Sequence, residues 1–103
     1  MSTKDRNDLL RTTLQQDAKN RIVLTASVNE SPNREAIIEA VRSFDDFNKH
    51  NDPYEEHDFG FVMVGQTKYF FKFDYYDLNF EYGANPEEED YALVLTIMES
   101  GEN

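Results

Sequence analysis

The sequence predicts an α+β domain, an antiparallel sheet of four to five strands with one main helix packed on one face. Three observations predict this fold. A helical apolar pattern follows Pro32, and two runs of β-branched and aromatic residues flank Gly65-Gln66. The chain of 103 residues is also long enough for a single modest core. We therefore interpret residues 1–103 as one domain with a short additional helix at the N-terminus.

The main helix is expected to run from Pro32 to Asn48. Ser31 suits the N-cap position, and proline is favoured at the first helical position. The apolar residues that follow recur at helical spacing and should face the sheet: Ile37, Ile38, Val41 and Phe44. A second helix, at the N-terminus, is predicted over residues 4–18. Because its apolar stripe is narrow and consists only of Leu9, Leu10 and Leu14, it should dock loosely on the rest of the domain.

Strand patterns occupy four further segments, which are Arg21–Val28, Phe59–Val64, Thr67–Tyr76 and Leu78–Tyr82. Gly65 at the first central position indicates a two-residue type II′ turn, which pairs Val64 with Thr67. One hairpin face then carries the core side chains Val62, Val64, Tyr69, Phe71, Phe73 and Tyr75. The other face carries Phe59, Phe61, Met63, Lys68, Phe70, Lys72, Asp74 and Tyr76, and is either covered by the N-terminal helix or exposed as an interface.

The C-terminal segment Tyr91–Met98 fits two structures. Asn85-Pro86 followed by three glutamates would begin a helix well, whereas the apolar run itself suits a buried strand. We favour a short acidic turn followed by a strand. Residues 99–103 are expected to form a flexible tail.

Charge is distributed unevenly along the chain. Residues 1–42 carry six acids against seven bases, and residues 43–103 carry fifteen acids against three bases, which together give the net charge of −11. This sign repels nucleic acid and anionic membranes and attracts basic surfaces. The absence of cysteine excludes disulfides and thiolate metal sites, and no apolar run is long enough to span a bilayer. We expect a cytoplasmic protein that binds no nucleic acid directly.

One stretch carries a resemblance to a known family. The run FDDFNKHNDPYEEHDFG, with VLTASV before it and KYFFKFDYYD and VLTIM after it, resembles a family of short bacterial proteins of unknown function. The N-D-P-x-x-E-H-D-F-G motif is its most specific part, and the resemblance extends from about Arg21 to Met98. Members are often encoded on plasmids and other mobile elements. The resemblance implies a bacterial or phage setting and no particular chemistry.

The acidic residues after Ser43 are the main functional candidates. Carboxylates spaced like phosphates can occupy a basic groove in place of DNA, although a merely solvated surface has the same composition. The candidate partner-binding residues are Asp45, Asp46, Asp52, Glu55, Glu56, Asp58, Asp74, Tyr76 and Asp77. With the mobile-element setting, they predict an inhibitor that occupies the basic nucleic-acid-binding surface of a host defence complex of the CRISPR or restriction type.

Two other classes of function remain open. His50 and His57, with nearby aspartates, are weak candidates for a divalent metal site in a small sensor or enzyme, but they lack a spaced ligand signature. Phe61, Phe70 and Tyr76 could instead join two copies into a homodimer. No catalytic residue is assigned, because there is no nucleophile motif and no glycine-rich phosphate loop. We expect a non-enzymatic protein without a cofactor.

Overall fold

The computed structural model describes residues 1–102 and confirms the α+β class. Its helices are α1 (Thr3–Thr13), α2 (Ala26–Asn29) and α3 (Arg34–Arg42), and its strands are β1 (Asn20–Leu24), β2 (Phe59–Val64), β3 (Thr67–Tyr76) and β4 (Ala92–Glu99). The four strands form one sheet in the order β1-β4-β3-β2. The pairs β2–β3 and β3–β4 are antiparallel, but β1 runs parallel to β4. The sheet is therefore mostly antiparallel, as predicted, and departs from the prediction only in the parallel pairing of β1.

The central hairpin has the predicted register. Val64 pairs with Thr67, Val62 with Tyr69 and Gly60 with Phe71. Gly65 has a φ of 63° and Gln66 is not among the residues with positive φ, as a type II′ turn requires. The segment Tyr91–Met98 is confirmed as a strand, since it lies in β4 almost entirely and supplies Leu93, Leu95 and Ile97 to the core at 0% exposure.

The core lies on one face of the sheet, beneath the helices. Side chains of β3 and β4 meet Ile37 and Val41 of α3, Val28 of α2 and Leu10 of α1. The opposite face is open over β2, where Phe59, Phe61 and Met63 are 37%, 43% and 57% exposed. Of the two alternatives for that face, the structure therefore shows the uncovered one.

Two predicted strands are shorter than expected or absent. The strand predicted over Arg21–Val28 ends at Leu24, and Thr25 begins the short helix α2, which buries Val28 completely. The segment Leu78–Tyr82 is a turn and not a strand, because the Asp77 carboxylate accepts hydrogen bonds from the N–H groups of Asn79 and Glu81.

The two main helices are also shorter than predicted. α3 begins after Asn33 instead of Ser31, whose hydroxyl accepts the Asn33 N–H, and it ends at Arg42 instead of Asn48. α1 ends at Thr13, where Leu14 adopts a left-handed conformation with φ 55°. Leu9 is 49% exposed, so it does not belong to the buried stripe.

The flexible tail was predicted over residues 99–103, but its first residue, Glu99, is the last residue of β4. Ser100 donates its N–H to the Lys68 carbonyl, and the Glu102 carboxylate accepts hydrogen bonds from Glu99 N–H and the Thr25 hydroxyl. Asn103 lies outside the described residues.

Candidate binding site around the acidic loop

The loop between α3 and β2, residues 43–58, is attached to the fold by Arg11 of α1. The Arg11 side chain is buried at 4% exposure, and its Nη1 donates to the carbonyls of Val41, Arg42 and Phe44 at 2.8–3.1 Å. These carbonyls lie at the end of α3, where an α-helix leaves its acceptors unpaired and carries partial negative charge. Arg11 thus ends the helix and fixes the start of the loop.

Asp52 organises the middle of the loop. Its side chain is buried at 5% exposure, and Oδ1 accepts the backbone N–H groups of Glu56 and His57 at 3.0 and 3.1 Å. Glu55 and His57 both have positive φ, 55° and 54°. This backbone conformation is strained for residues other than glycine. The bonds to Asp52 hold the chain in this tight turn. Asp52 therefore serves the loop and adds nothing to the exposed acidic surface.

His57 lies between two carboxylates. Its Nδ1 is 3.0 Å from each carboxylate oxygen of Asp8, and its Nε2 is 3.6 Å from Oδ2 of Asp52. The ring is also stacked on Phe47, with 3.8 Å between ring centroids and 5° between ring planes. Since Arg11 Nη2 donates to the same Asp8 at 3.1 Å, a continuous polar chain joins α1 to the loop. Both ring nitrogens of His57 face carboxylates, which favours a structural role.

A second junction joins α1, the loop and β3. Asn7 is fully buried and donates through Nδ2 to the Glu56 carbonyl and the Tyr75 hydroxyl at 3.0 and 2.9 Å. The Tyr75 hydroxyl in turn donates to the Glu56 carboxylate at 3.4 Å. Burial is the main cause that raises the pKa of Glu56, and the charge of Asp58 adds to it. Burial also raises the pKa of the Tyr75 phenol well above its usual value.

Other acidic residues of the loop point outward. Asp45, Asp46 and Glu55 are exposed, and none of the ion pairs found among residues 1–102 involves them. Glu55 and Glu56 line a cleft of about 700 Å³ together with Glu87, which lies 31 residues after Glu56 in the chain. Two acidic segments, residues 54–56 and 85–87, therefore meet around one opening.

The remaining acidic candidates lie elsewhere or are already engaged. Asp74 is on the outer face of β3 and pairs with Lys72 at 3.0 Å. Asp77 holds the turn described above. Burial, followed by the charges of Asp52 and Asp74, raises the pKa of Asp58. Tyr76 is partly exposed at the end of β3.

The two histidines are in different environments. His50 is exposed in the loop, where its backbone N–H donates to the Asn48 side chain, whereas His57 is half-buried between Asp8 and Asp52. In the part of the chain that the structure describes, no group of three or more histidine, aspartate or glutamate side chains is placed to hold a metal ion.

Sequence reasoning missed the residues of α1 that hold the loop, namely Asn7, Asp8 and Arg11. They are polar, so a search for apolar periodicity assigns them to solvent. A signal was nevertheless present, because Asn7 and Arg11 are four residues apart and share the buried helix face with Leu10 and Leu14. Polar residues at that spacing indicate a buried network when a polar loop packs on the helix.

The fold and the site together define a small α+β domain with a tightly hydrogen-bonded acidic loop. The chain belongs to the family described as "Protein of unknown function (DUF3768)", whose family model matches residues 8–102. No curated protein and no solved structure matches the chain. Among residues 1–102, no helix is long and apolar enough to cross a membrane.

Proposed function

We propose that this protein is a non-enzymatic binding protein whose acidic surface docks on a basic surface of another protein. The observation that carries this proposal is the meeting of residues 54–56 and 85–87 around one cleft of about 700 Å³. Three carboxylates of this cleft, those of Glu55, Glu56 and Glu87, have the same charge. A basic side chain entering the cleft would relieve their mutual repulsion.

The electrostatics of Glu56 support a site for a cation. The charges of Asp58, Glu87 and Asp52 all contribute to its raised pKa, after burial. Lys4, at the start of α1, also lines the cleft and offsets part of its charge. A lysine or arginine from a partner would complete that neutralisation, and arginine suits paired carboxylates because its guanidinium donates in a fork.

The partner class that fits best is a nucleic-acid-binding protein. Exposed carboxylates without ion pairs can replace phosphates in a basic groove and release the same counterions. The narrower form of the proposal is an inhibitor of a host defence complex of the CRISPR or restriction type. That form is supported by the family resemblance and the charge asymmetry.

The test is a quantitative pull-down with three baits. The first is the natural sequence and the second carries Glu55→Lys and Glu87→Lys. The third carries Glu30→Lys and Glu35→Lys, two residues that do not line the cleft. Both variants change the net charge by the same amount, and all four glutamates are exposed. We expect the natural and control baits to retain a nucleic-acid-binding protein that salt or duplex DNA releases. The second bait should recover at least tenfold less of that protein than the natural bait. Equal recovery on all three baits would show that the cleft is not the docking site.

A further inference from the structure

The strand β2 has a free edge. It is the terminal strand of the sheet and pairs only with β3. In an antiparallel ladder the bonded residues alternate, and the two-residue turn makes Val64–Thr67 a bonded pair. The bond from Phe73 N–H to the Asp58 carbonyl fits the same alternation. The backbone N–H and C=O groups of the odd-numbered residues of β2, Phe59, Phe61 and Met63, therefore point away from the sheet.

The two edges of the sheet are protected differently. At the β1 edge, the Ile22 N–H donates to the Gln16 side chain and the Asn20 carbonyl accepts the Asp17 N–H, so residues 15–19 cover the strand. At the β2 edge, no such hydrogen bond is made to the outward groups within residues 1–102. The strand FGFVMV contains no charge and no proline, which are the usual devices that prevent strand addition.

We propose that two copies of this chain pair their β2 strands antiparallel about a twofold axis at Phe61. The result is a continuous sheet of eight strands. In this register Phe61 faces Phe61 of the second copy, and Phe59 faces Met63. Three residue pairs each exchange two backbone hydrogen bonds, which gives about six in total. Every outward backbone group at this edge is then satisfied.

The side chains of the strand favour a second copy as the occupant. The twofold register brings apolar side chains opposite one another and places no charge in the new contact. Lys68, whose Nζ is 4.1 Å from the Phe61 ring centroid, and Lys72 lie on the neighbouring strand β3. The lysines nearest to one another across the axis are three strand spacings apart, about 14 Å. That distance exceeds the Debye length of about 8 Å at physiological salt, so their repulsion is weak.

The same lysines distinguish this edge from the acidic cleft. A basic partner would meet Lys68 and Lys72 beside β2, whereas the cleft offers carboxylates. On the open face, the pairing aligns Phe70 and Phe61 with their counterparts in one aromatic row, since Phe61 pairs with Phe70 within each copy. Such rows stabilise adjacent strands. The dimer therefore does not depend on the proposed partner, and a Glu55→Lys, Glu87→Lys protein should still dimerise.

Cysteine crosslinking tests the register, because the natural chain has no cysteine. Bonded residues opposite each other in an antiparallel pair have Cα atoms about 5.5 Å apart, within the range of a disulfide. We expect Phe61→Cys to oxidise to a covalent dimer at least tenfold faster than Val23→Cys, a control with 45% exposure on the other edge strand. Phe59→Cys and Met63→Cys should each crosslink slowly alone and quickly when mixed. Equal rates at positions 61 and 23 would overturn the proposal.

Light scattering provides the second test and uses the natural sequence. The expected mass is that of two chains at micromolar concentration, falling to one chain in Met63→Lys and remaining at two in Val23→Lys. A mass of one chain for the natural protein at all concentrations up to about 100 μM would also overturn the proposal and leave the edge for a strand of another protein.

Discussion

Two sets of carboxylates, in the acidic loop and on the neighbouring helix α1, differ in what they contact. Asp8 and Asp52 face inward, where Arg11, His57 and two backbone N–H groups surround them. Asp45, Asp46 and Glu55 face outward and make no ion pair within residues 1–102. Sequence alone gives all of these residues the same charge. Their environment assigns the first set to the fold and leaves the second set available for a partner.

The same difference is found within the segment Asn51–Gly60 (N-D-P-Y-E-E-H-D-F-G). Asp52 and His57 are its most chemically suggestive residues, yet both are engaged with other parts of the chain. The glycine also has a packing reason, because a Cβ at Gly60 would lie 2.5 Å from the Phe71 ring. These residues therefore specify the shape of the loop, whereas Glu55 in the same segment is exposed.

The largest expected effect follows from removing Arg11. The Arg11→Ala substitution leaves three carbonyls at the end of α3 and the Asp8 carboxylate without their buried donor. We expect the free energy of unfolding to fall by about 3–5 kcal/mol, because each buried acceptor left without its donor costs about 1–3 kcal/mol. Urea denaturation measures this change. Arg34→Ala, at the exposed start of α3, is the control and should change stability by less than about 0.5 kcal/mol.

The comparison of Asp52 with Asp46 tests the two sets directly. Asp52→Ala removes the acceptor of two backbone N–H groups in a turn with positive φ, so a loss of about 2–3 kcal/mol is expected. Asp46→Ala should remain within about 0.5 kcal/mol of the natural protein, because its side chain is exposed. Urea midpoints that coincide for the two variants would remove the distinction between the sets.

A smaller effect of Glu56 should appear in the pH dependence of the free energy of unfolding. Glu56 lines the cleft and also accepts a hydrogen bond from the Tyr75 hydroxyl. Its pKa is raised in the folded protein, so the folded state holds the proton more tightly than the unfolded state. Stability then falls as the pH rises from the ordinary glutamate pKa through the raised one. Glu56→Gln should raise the free energy of unfolding at pH 7 and have little effect near pH 3, where both states are protonated. Thermal unfolding across this pH range measures the difference, and a variant less stable than the natural protein at pH 7 would contradict it.

Local patterns in the sequence predicted the central hairpin correctly. Gly65 fixes the turn, and alternation on both sides fixes the register. The parallel pairing of β1 with β4 could not be predicted, because it depends on which distant strand lies beside β1. The strand predicted over residues 78–82 is wrong for a local reason. The apolar residues of this segment resemble a strand, but the Asp77 side chain accepts its backbone N–H groups and so forms a turn.

The candidate site was predicted only in part. The acidic loop and its exposed residues are evident from composition, but burial of Asp52 is not. Arg11 was missed because its acceptors are backbone carbonyls thirty or more residues away, and carbonyls have no sequence signature. Likewise, the approach of Glu87 to Glu55 depends on the path of the chain between β3 and β4.

The most direct test of the central claim is the stability of a protein in which the outward carboxylates are reversed together. Asp45, Asp46, Glu55 and Glu87 would all be changed to lysine, which moves the net charge from −11 by two units for each change to −3. If these residues serve only binding, the urea midpoint should stay the same or rise, because self-repulsion decreases. A loss of more than about 2 kcal/mol, the scale of a broken buried contact, would show that the outward carboxylates hold the fold together.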